Sequence, residues 1–163
     1  MKTNLHALSV TLGNLLIKQT AKVAFVESCT GGMLSEQMTT VSGSSAWFEG
    51  SIIAYSNAVK EHVLNVSHAL LEKYGAASEE VAKAMAKGVL EKIPVDYAVS
   101  VTGIAGPTGG TIEKPVGLVC FGLIDQKRHV SETKTMCFTG GRNAVRISAC
   151  AFAINWLIKH ISV

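Results

Sequence analysis

Short apolar runs that favour β-strands alternate with stretches of helical periodicity along most of this chain. Leucines recur at helical spacing over residues 5–19, and the run at 23–26 ends shortly before a Gly31–Gly32 turn that leads into another helix. Strands that alternate with helices predict a layered α/β domain. Two late runs, 116–124 and 130–138, follow one another without a helix between them. We therefore predict an α/β/α layered domain with a mixed, partly parallel sheet.

The chain has 163 residues, of which 48% are apolar, and this suits one domain with one substantial core. We therefore expect a single domain over residues 1–163. Asn57 is the predicted N-cap of the third helix, because an asparagine side chain can accept a hydrogen bond from the first helical turn. This third helix covers 60–64, and further helices are predicted over 33–40, from 79 to just before Pro94, and over 142–159. Two more strands are predicted over 47–55 and 95–101. A glycine-rich loop is predicted over 102–114.

Composition argues against several classes of function. The net charge of +3 is not gathered into runs and only ten residues are aromatic, so we expect no nucleic-acid partner. Cys29, Cys120, Cys137 and Cys150 lack CxxC spacing, and the histidines form no HxH or HExxH pair, so we expect no metal site. The N-terminal segment is unlike a signal-peptide core, and the apolar tract at 147–158 is shorter than the roughly 20 residues that cross a bilayer. We expect a cytoplasmic protein with reduced thiols and no membrane partner.

Ser28 is the candidate nucleophile, because it follows the first strand and precedes a helix by a few residues. Its hydroxyl could stand at the sheet edge, where the backbone N–H groups of Thr30–Gly32 could stabilise an oxyanion. As an alternative, Ser28 or Thr30 simply caps the helix that begins near Met33. The neighbouring Cys29 is a competing nucleophile or a small buried residue, and only one of two adjacent side chains can readily face a pocket.

Lys60 is the candidate base for this serine. It occupies about the third position of the predicted helix, where the helix dipole disfavours a positive charge and so favours the neutral amine. Tyr55 could donate a hydrogen bond to the pair or relay a proton. As alternatives, Lys60 is a solvated surface lysine and Tyr55 is an ordinary half-buried strand residue. A histidine base is less favoured, because none of the five histidines lies in a glycine-rich turn. They are His6, His62, His68, His129 and His160.

Two features suggest an anion site. The glycines of the segment Thr102–Gly110 let backbone amides approach an anion closely, although the segment is neither a GxGxxG fingerprint nor a Walker A loop. Arg142 and Arg146 lie one helical turn apart and could hold a phosphate together. As alternatives, the segment is a long connecting turn and the two arginines form surface ion pairs.

Four motifs, in this order along the chain, closely resemble the CinA C-terminal domain family. They are Glu27–Gly32, Gly43–Phe48, Tyr55–Asn57 with Lys60, and Thr102–Pro107 followed by Lys114–Gly117. The resemblance covers essentially the whole chain. It implies the activity characterised for that family, nicotinamide mononucleotide deamidase, also called nicotinamide-nucleotide amidase. It also implies a serine/lysine amidohydrolase that uses no metal or cofactor.

The resemblance assigns roles to individual residues. Ser28 is the expected nucleophile, Lys60 the expected base and Tyr55 a supporting residue. The substrate is expected to contact Thr30, Gly31, Gly32, Ser45, Thr102, Gly103, Gly106 and Arg142. The expected reaction converts nicotinamide mononucleotide and water to nicotinate mononucleotide and ammonia through an acyl-enzyme, in NAD salvage.

Two other interpretations stay open on the sequence alone. A non-catalytic nucleotide-binding module of the same family would bind the mononucleotide without releasing ammonia. An amidase that depends on Cys29 would be inactivated by thiol alkylation. A homodimer is the default expectation for a small enzyme of this kind.

Overall fold

A computed structural model describes residues 4–163 of the chain, and Met1–Thr3, which begin the segment compared above with a signal peptide, lie outside the described residues. The described part forms six α-helices, five β-strands and one short 3₁₀ helix. In chain order these are α1 (Leu5–Lys18), β1 (Val23–Glu27), α2 (Met33–Thr39), the 3₁₀ helix (Ser44–Ala46), β2 (Phe48–Ile53), α3 (Asn57–Leu64), α4 (His68–Tyr74), α5 (Glu79–Leu90), β3 (Tyr97–Gly103), β4 (Leu118–Asp125), β5 (Val130–Cys137) and α6 (Arg142–Ile161).

The strands form one sheet in the order β2-β1-β3-β4-β5. β1 is parallel to both of its neighbours, and its last residue, Glu27, lies opposite Ile53 of β2 and Val101 of β3. The pairs β3–β4 and β4–β5 are antiparallel. This confirms the predicted mixed, partly parallel sheet. It also brings the carboxyl ends of β1, β2 and β3 side by side at one edge.

Helices cover both faces of the sheet, which confirms the α/β/α layers. α1, α2 and α6 pack over a core that contains Phe25 and Phe121, whereas α3, α4 and α5 pack over a core that contains Val26 and Met85. Phe25 and Val26 are neighbours in β1, and successive strand residues point to opposite faces. The connection from β1 to β2 uses the first face and the connection from β2 to β3 uses the second. Ligands of open α/β sheets bind at such a reversal, outside the carboxyl ends of the strands.

Most predicted elements are present, with three corrections near the strand ends. Asn57 is the first residue of α3, and the N-cap is Ser56, whose Oγ accepts a hydrogen bond from the Val59 N–H at 3.2 Å. α4 was not predicted, although Ser67 caps it by accepting a hydrogen bond from the Leu70 N–H at 3.3 Å. Thr102 and Gly103 belong to β3 rather than to the loop that follows it.

α6 is a core helix. Its 20 residues are long and apolar enough to cross a membrane by length and composition alone, so the length of its apolar tract does not exclude a membrane span. However, half of its most apolar window is buried inside the fold, and Val145, Ala149 and Ile154 are fully buried in the core shared with α1 and the sheet. The burial of α6, rather than its length, therefore supports the prediction of a buried helix.

Gly88 of α5 lies against the end of α3, the helix that carries Lys60, and a Cβ at this position would lie 2.2 Å from the Leu64 carbonyl oxygen. Gly88→Ala should therefore lower the free energy of unfolding by about 1–3 kcal/mol, although alanine is normally the better helix former. Chemical denaturation followed by circular dichroism measures the change. Lys83→Ala, at an exposed position of α5, is the matched control and should alter stability by less than about 0.5 kcal/mol. Equal stability of Gly88→Ala and wild type would contradict the close contact.

Candidate active site

A cavity of about 250 Å³ opens at the carboxyl ends of the three parallel strands. Ser28 follows β1, Tyr55 follows β2, and Thr102 and Gly103 end β3. The cavity brings together seven of the candidate residues from the sequence: Ser28, Cys29, Tyr55, Lys60, Thr102, Gly103 and Arg142. Both Ser28 and its neighbour Cys29 therefore line it, although only one of the two was expected to face a pocket. Residues that are up to 114 positions apart in the chain therefore meet at one edge of the sheet.

The Lys60 amine lies beside the Ser28 hydroxyl, with 3.0 Å between Nζ and Oγ. The same amine donates to the carbonyl oxygens of Ala54 at 2.8 Å and Tyr55 at 3.0 Å. Carbonyl oxygens can only accept, so a neutral amine uses both of its N–H groups on them and turns its lone pair toward Ser28. The alternative of a solvated surface lysine is wrong, because only 1% of Lys60 is exposed.

Burial lowers the pKa of Lys60 to about 8. The loss of hydration disfavours the ammonium form, and only the nearby Cys29 thiol opposes the shift. The direction agrees with the prediction, but the cause does not, since burial and not the helix dipole produces the shift. At neutral pH a pKa near 8 leaves roughly one amine in ten unprotonated, far more than for a lysine in water.

α3 holds Lys60 in place. Lys60 is the fourth residue of this helix, and its side chain extends back toward the two residues that follow β2. The Ser56 cap fixes the start of the helix, and the Lys60 carbonyl accepts the Val66 N–H at 3.1 Å beyond its end. The base is therefore carried by a capped helix rather than by a loop.

Two backbone N–H groups beside Ser28 have no acceptor in another described residue. The Gly31 N–H donates to the Ser28 carbonyl, and the Gly32 N–H donates to the Glu27 carboxylate. Within residues 4–163, the N–H groups of Cys29 and Thr30 donate to no other residue. Two of the three predicted donors, those of Gly31 and Gly32, therefore already have acceptors. Cys29 lines the cavity, whereas Thr30 is fully buried and is not part of the lining.

Glu27 is a site residue that sequence reasoning missed. It is fully buried, and its carboxylate accepts hydrogen bonds from the N–H groups of Gly32, Leu34 and Ser35 at 2.8–3.0 Å and from the Ser35 hydroxyl. Neither Ser28 nor Thr30 caps α2, so that alternative is wrong. An acidic residue placed just before a turn into a helix was the available signal, because carboxylates favour helix N-termini.

The Tyr55 phenol does not contact the Ser28–Lys60 pair. Its hydroxyl accepts a hydrogen bond from Arg142 at 3.2 Å, and its ring is largely exposed. Its backbone carbonyl contacts the pair instead, by accepting from Lys60 and, at 3.4 Å, from the Ser28 hydroxyl. The predicted proton relay through the Tyr55 hydroxyl therefore has no support in the geometry.

Neither arginine at the start of α6 forms an ion pair with a described residue. Arg142 donates to the Gly106 carbonyl at 2.7 Å, which connects α6 to the glycine-rich loop, and Arg146 donates to the Thr30 carbonyl at 2.9 Å. Arg142 lines the cavity, and Arg146 supports the turn from behind. Thr102 donates its hydroxyl to the Ala76 carbonyl at 2.8 Å.

Five of the eight predicted substrate contacts are absent from the cavity lining: Thr30, Gly31, Gly32, Ser45 and Gly106. Ser45 lies at the other end of β1. It belongs to the exposed 3₁₀ helix before β2, and β2 begins opposite Val23, the first residue of β1. Ser28 follows the other end of β1, roughly 16 Å away along the strand. The structure therefore does not bring Ser45 to this cavity.

A second, larger cavity of about 430 Å³ contains no candidate nucleophile–base pair. Both lysines and glutamates line it. One of these glutamates, Glu79, already accepts hydrogen bonds from the Thr133 and Thr135 hydroxyls at 2.6 and 2.7 Å. In the described chain, no three residues of the types His, Cys, Asp and Glu come together as a possible metal site. The chemistry therefore centres on the smaller cavity.

Known proteins are similar to this chain over most of its length. The model of the CinA C-terminal domain matches residues 5–161. A protein of Enterobacter agglomerans named nicotinamide-nucleotide amidohydrolase PncC is 46% identical over 155 residues, which cover 95% of this chain and 94% of that protein. A CinA-like protein of Prochlorococcus marinus is 48% identical over 84% of this chain, but the match spans only 33% of that longer protein.

Solved structures have the same fold. The competence/damage inducible protein CihA of Agrobacterium tumefaciens superposes with a TM-score of 0.94 at 32% identity, over 100% of this chain and 98% of that chain. The competence damage-inducible protein A of Klebsiella pneumoniae gives a TM-score of 0.93 at 31% identity, with 98% of both chains covered. Sequence and fold agree over nearly the entire chain. The chain therefore belongs to the CinA C-terminal domain family.

Proposed function

We propose that this chain hydrolyses the carboxamide of nicotinamide mononucleotide to give nicotinate mononucleotide and ammonia. The observation that carries the proposal is the buried Lys60 amine, 3.0 Å from the Ser28 hydroxyl at the carboxyl edge of the sheet. The substrate is suggested by the name of the relative that is 46% identical over 94% of its own length. The reaction would return a pyridine nucleotide to NAD synthesis in the cytoplasm.

The first half-reaction forms an acyl-enzyme. Neutral Lys60 takes the Ser28 proton while Oγ attacks the carboxamide carbon, and the negative charge moves to the carboxamide oxygen. The free N–H groups of Cys29 and Thr30 are the donors proposed to hold this oxyanion. As the intermediate collapses, the C–N bond breaks, the Lys60 ammonium returns its proton to the leaving nitrogen, and ammonia departs.

The second half-reaction repeats the same proton transfers with water. Lys60, neutral again, takes a proton from a water molecule that attacks the acyl carbon. The ester bond to Ser28 then breaks, the serine oxygen recovers a proton from Lys60, and the product leaves as a carboxylic acid that loses its remaining proton to solvent. One amine thus serves as base and acid in both halves.

The ribose phosphate is proposed to lie against Arg142 and the glycine-rich segment that starts at Thr102, the end of β3 and the loop that follows it. Arg142 lines the cavity and is held by the Gly106 carbonyl and the Tyr55 hydroxyl. A guanidinium held in this way can still direct its remaining N–H groups at phosphate oxygens.

Cys29 is a weaker candidate nucleophile. Burial raises the pKa of its thiol to about 12, so the reactive thiolate is scarce at neutral pH. A module that only binds nucleotides is also less favoured, because it would not need a buried amine beside a serine hydroxyl. We also propose that the chain forms a homodimer, which a measurement of its molecular mass in solution would test.

Ser28→Ala should reduce ammonia release from nicotinamide mononucleotide by roughly 10³-fold or more, because the nucleophile is lost while the cavity keeps its shape. A coupled ammonia assay measures the rate, and circular dichroism checks the fold. Cys29→Ala is the matched control at the neighbouring position and should keep most of the activity. Activity that survives Ser28→Ala but disappears in Cys29→Ala would reverse the assignment.

The rate should rise with pH because the neutral form of Lys60 is the active one. With its pKa near 8, kcat/KM should rise about tenfold per pH unit below 8 and level off above it. A pH–rate profile measures this, and Lys60→Ala should remove most of the activity at every pH. A profile that falls between pH 7 and 9, or a midpoint near 6.5 typical of imidazole, would contradict a lysine base.

Arg142→Met should raise KM for nicotinamide mononucleotide by about 10–100-fold, because hydrogen bonds from a charged group to the phosphate are lost. Nicotinamide riboside, which lacks the phosphate, should be affected much less. Tyr55→Phe is the control, since it removes the bond to Arg142 but keeps the charge. Equal losses for both substrates would argue against a phosphate contact.

A further inference from the structure

We propose that Glu27 is a positioning residue, whose carboxylate fixes the turn that presents Ser28 and the two free N–H groups beside it. The proposal rests on the proposed role of Ser28 as nucleophile. Glu27 touches no part of the cavity, since it is fully buried beneath the turn and is absent from the cavity lining. Any effect on the reaction would therefore pass through the geometry of the turn.

Both carboxylate oxygens of Glu27 are fully used. Oε2 accepts the N–H groups of Gly32 and Leu34, each at 3.0 Å, and Oε1 accepts the Ser35 N–H at 2.8 Å together with the Ser35 hydroxyl. In the described chain no lysine, arginine or histidine forms an ion pair with Glu27. The helix start and its hydroxyl are therefore the only groups that balance this buried charge.

The start of α2 has no other side-chain cap. Its N-cap residue is Gly32, which has φ +96° and no side chain to offer. The Thr30 hydroxyl is buried without a hydrogen-bond partner, so it does not substitute. Without the Glu27 carboxylate, three backbone N–H groups at a buried helix start would lose their acceptor, which is unfavourable enough to shift the turn.

The turn is therefore held at both of its ends. The Ser28 N–H donates to the Val101 carbonyl at 2.9 Å, which fixes the beginning to β3, and the Gly32 N–H is fixed by Glu27. Between these two anchors lie the N–H groups of Cys29 and Thr30, the proposed oxyanion donors. An oxyanion donor contributes to catalysis only when its position is fixed before the reaction, so the second anchor should affect the rate.

A glutamine cannot replace this carboxylate. Every partner of Glu27 that is a backbone group is a donor, and the donors approach both oxygens. The amide nitrogen of a glutamine would face one set of these N–H groups and would leave them unpaired. Glu27→Gln therefore removes the contacts of one carboxylate oxygen at nearly constant side-chain volume.

The test compares Glu27→Gln with Ser35→Ala, which removes one hydrogen bond to the carboxylate but leaves the three N–H donors. Two readouts are used: the labelling rate of Ser28 by a fluorophosphonate probe, and kcat and KM for nicotinamide mononucleotide. Glu27→Gln should lower the labelling rate and kcat by about tenfold or more and leave KM within about twofold. The pH midpoint near 8 should not move, because the contacts of Lys60 are unchanged. Ser35→Ala should behave like wild type.

Several outcomes would overturn the proposal. If the Glu27→Gln enzyme is labelled at Ser28 and turns over the substrate at the wild-type rates, Glu27 has no positioning role. Loss of activity in exact proportion to the unfolded fraction, measured by circular dichroism, reduces Glu27 to a stabilising residue. If Glu27→Gln does not fold, Glu27→Asp decides, because it keeps the charge but shortens the reach by one methylene. A folded Asp variant with the wild-type labelling rate would contradict the proposal.

The two readouts separate this proposal from the proposed substrate. Wild-type enzyme that is labelled at Ser28 but releases no ammonia from nicotinamide mononucleotide would remove the substrate assignment, and the labelling rates would still judge Glu27. Wild-type enzyme that is not labelled at all would remove the nucleophile, and with it the positioning role.

Discussion

The candidate site depends on one buried amine. An ammonium group is costly to remove from water unless it is paired with an anion, and Lys60 has two carbonyl oxygens and a hydroxyl as its partners. These groups satisfy its hydrogen bonds without supplying a full negative charge. The protonated form is therefore less stable in the protein than it would be in water, and the pKa of Lys60 falls to about 8. The burial that makes the cation unfavourable is the same property that makes the amine a usable base.

The separation of Lys60 from Glu27 preserves this property. Both side chains are almost completely buried and lie on either side of the same turn, yet they do not pair. The carboxylate is satisfied by N–H groups at the start of α2, and the amine by carbonyl groups after β2. An ion pair between them would favour the ammonium and raise the pKa of Lys60. Backbone groups thus stabilise each charge locally and leave the lysine able to accept a proton.

Periodicity was enough to predict the layers, the mixed sheet and most element bounds. The position of Lys60 near a helix start suggested it as the base for Ser28, and the family resemblance then supported the pair. The features that were missed depend on three-dimensional contacts. Ser56 and Asn57 are both good capping residues, and only the geometry of α3 decides between them. Tyr55 contributes its backbone carbonyl rather than its hydroxyl, and no residue pattern can distinguish these roles. Glu27 was passed over because most of its partners are backbone groups, and its place just before a turn into a helix was the only signal of its role in the residue pattern.

The antiparallel half of the sheet contributes no side chain to the cavity among the residues that line it, yet it determines where Arg142 lies. β3 ends at the edge where the cavity opens, β4 leads away from that edge, and β5 returns to it. α6 therefore begins at the edge where the cavity opens, with Arg142 in contact with the Gly106 carbonyl, and it ends at the opposite edge, where His160 contacts Asp125 at 3.0 Å. One strand more or fewer would start α6 at the wrong edge. The two late strands, which first indicated a mixed sheet, thus place the start of α6 and its Arg142 at the same cavity as Ser28.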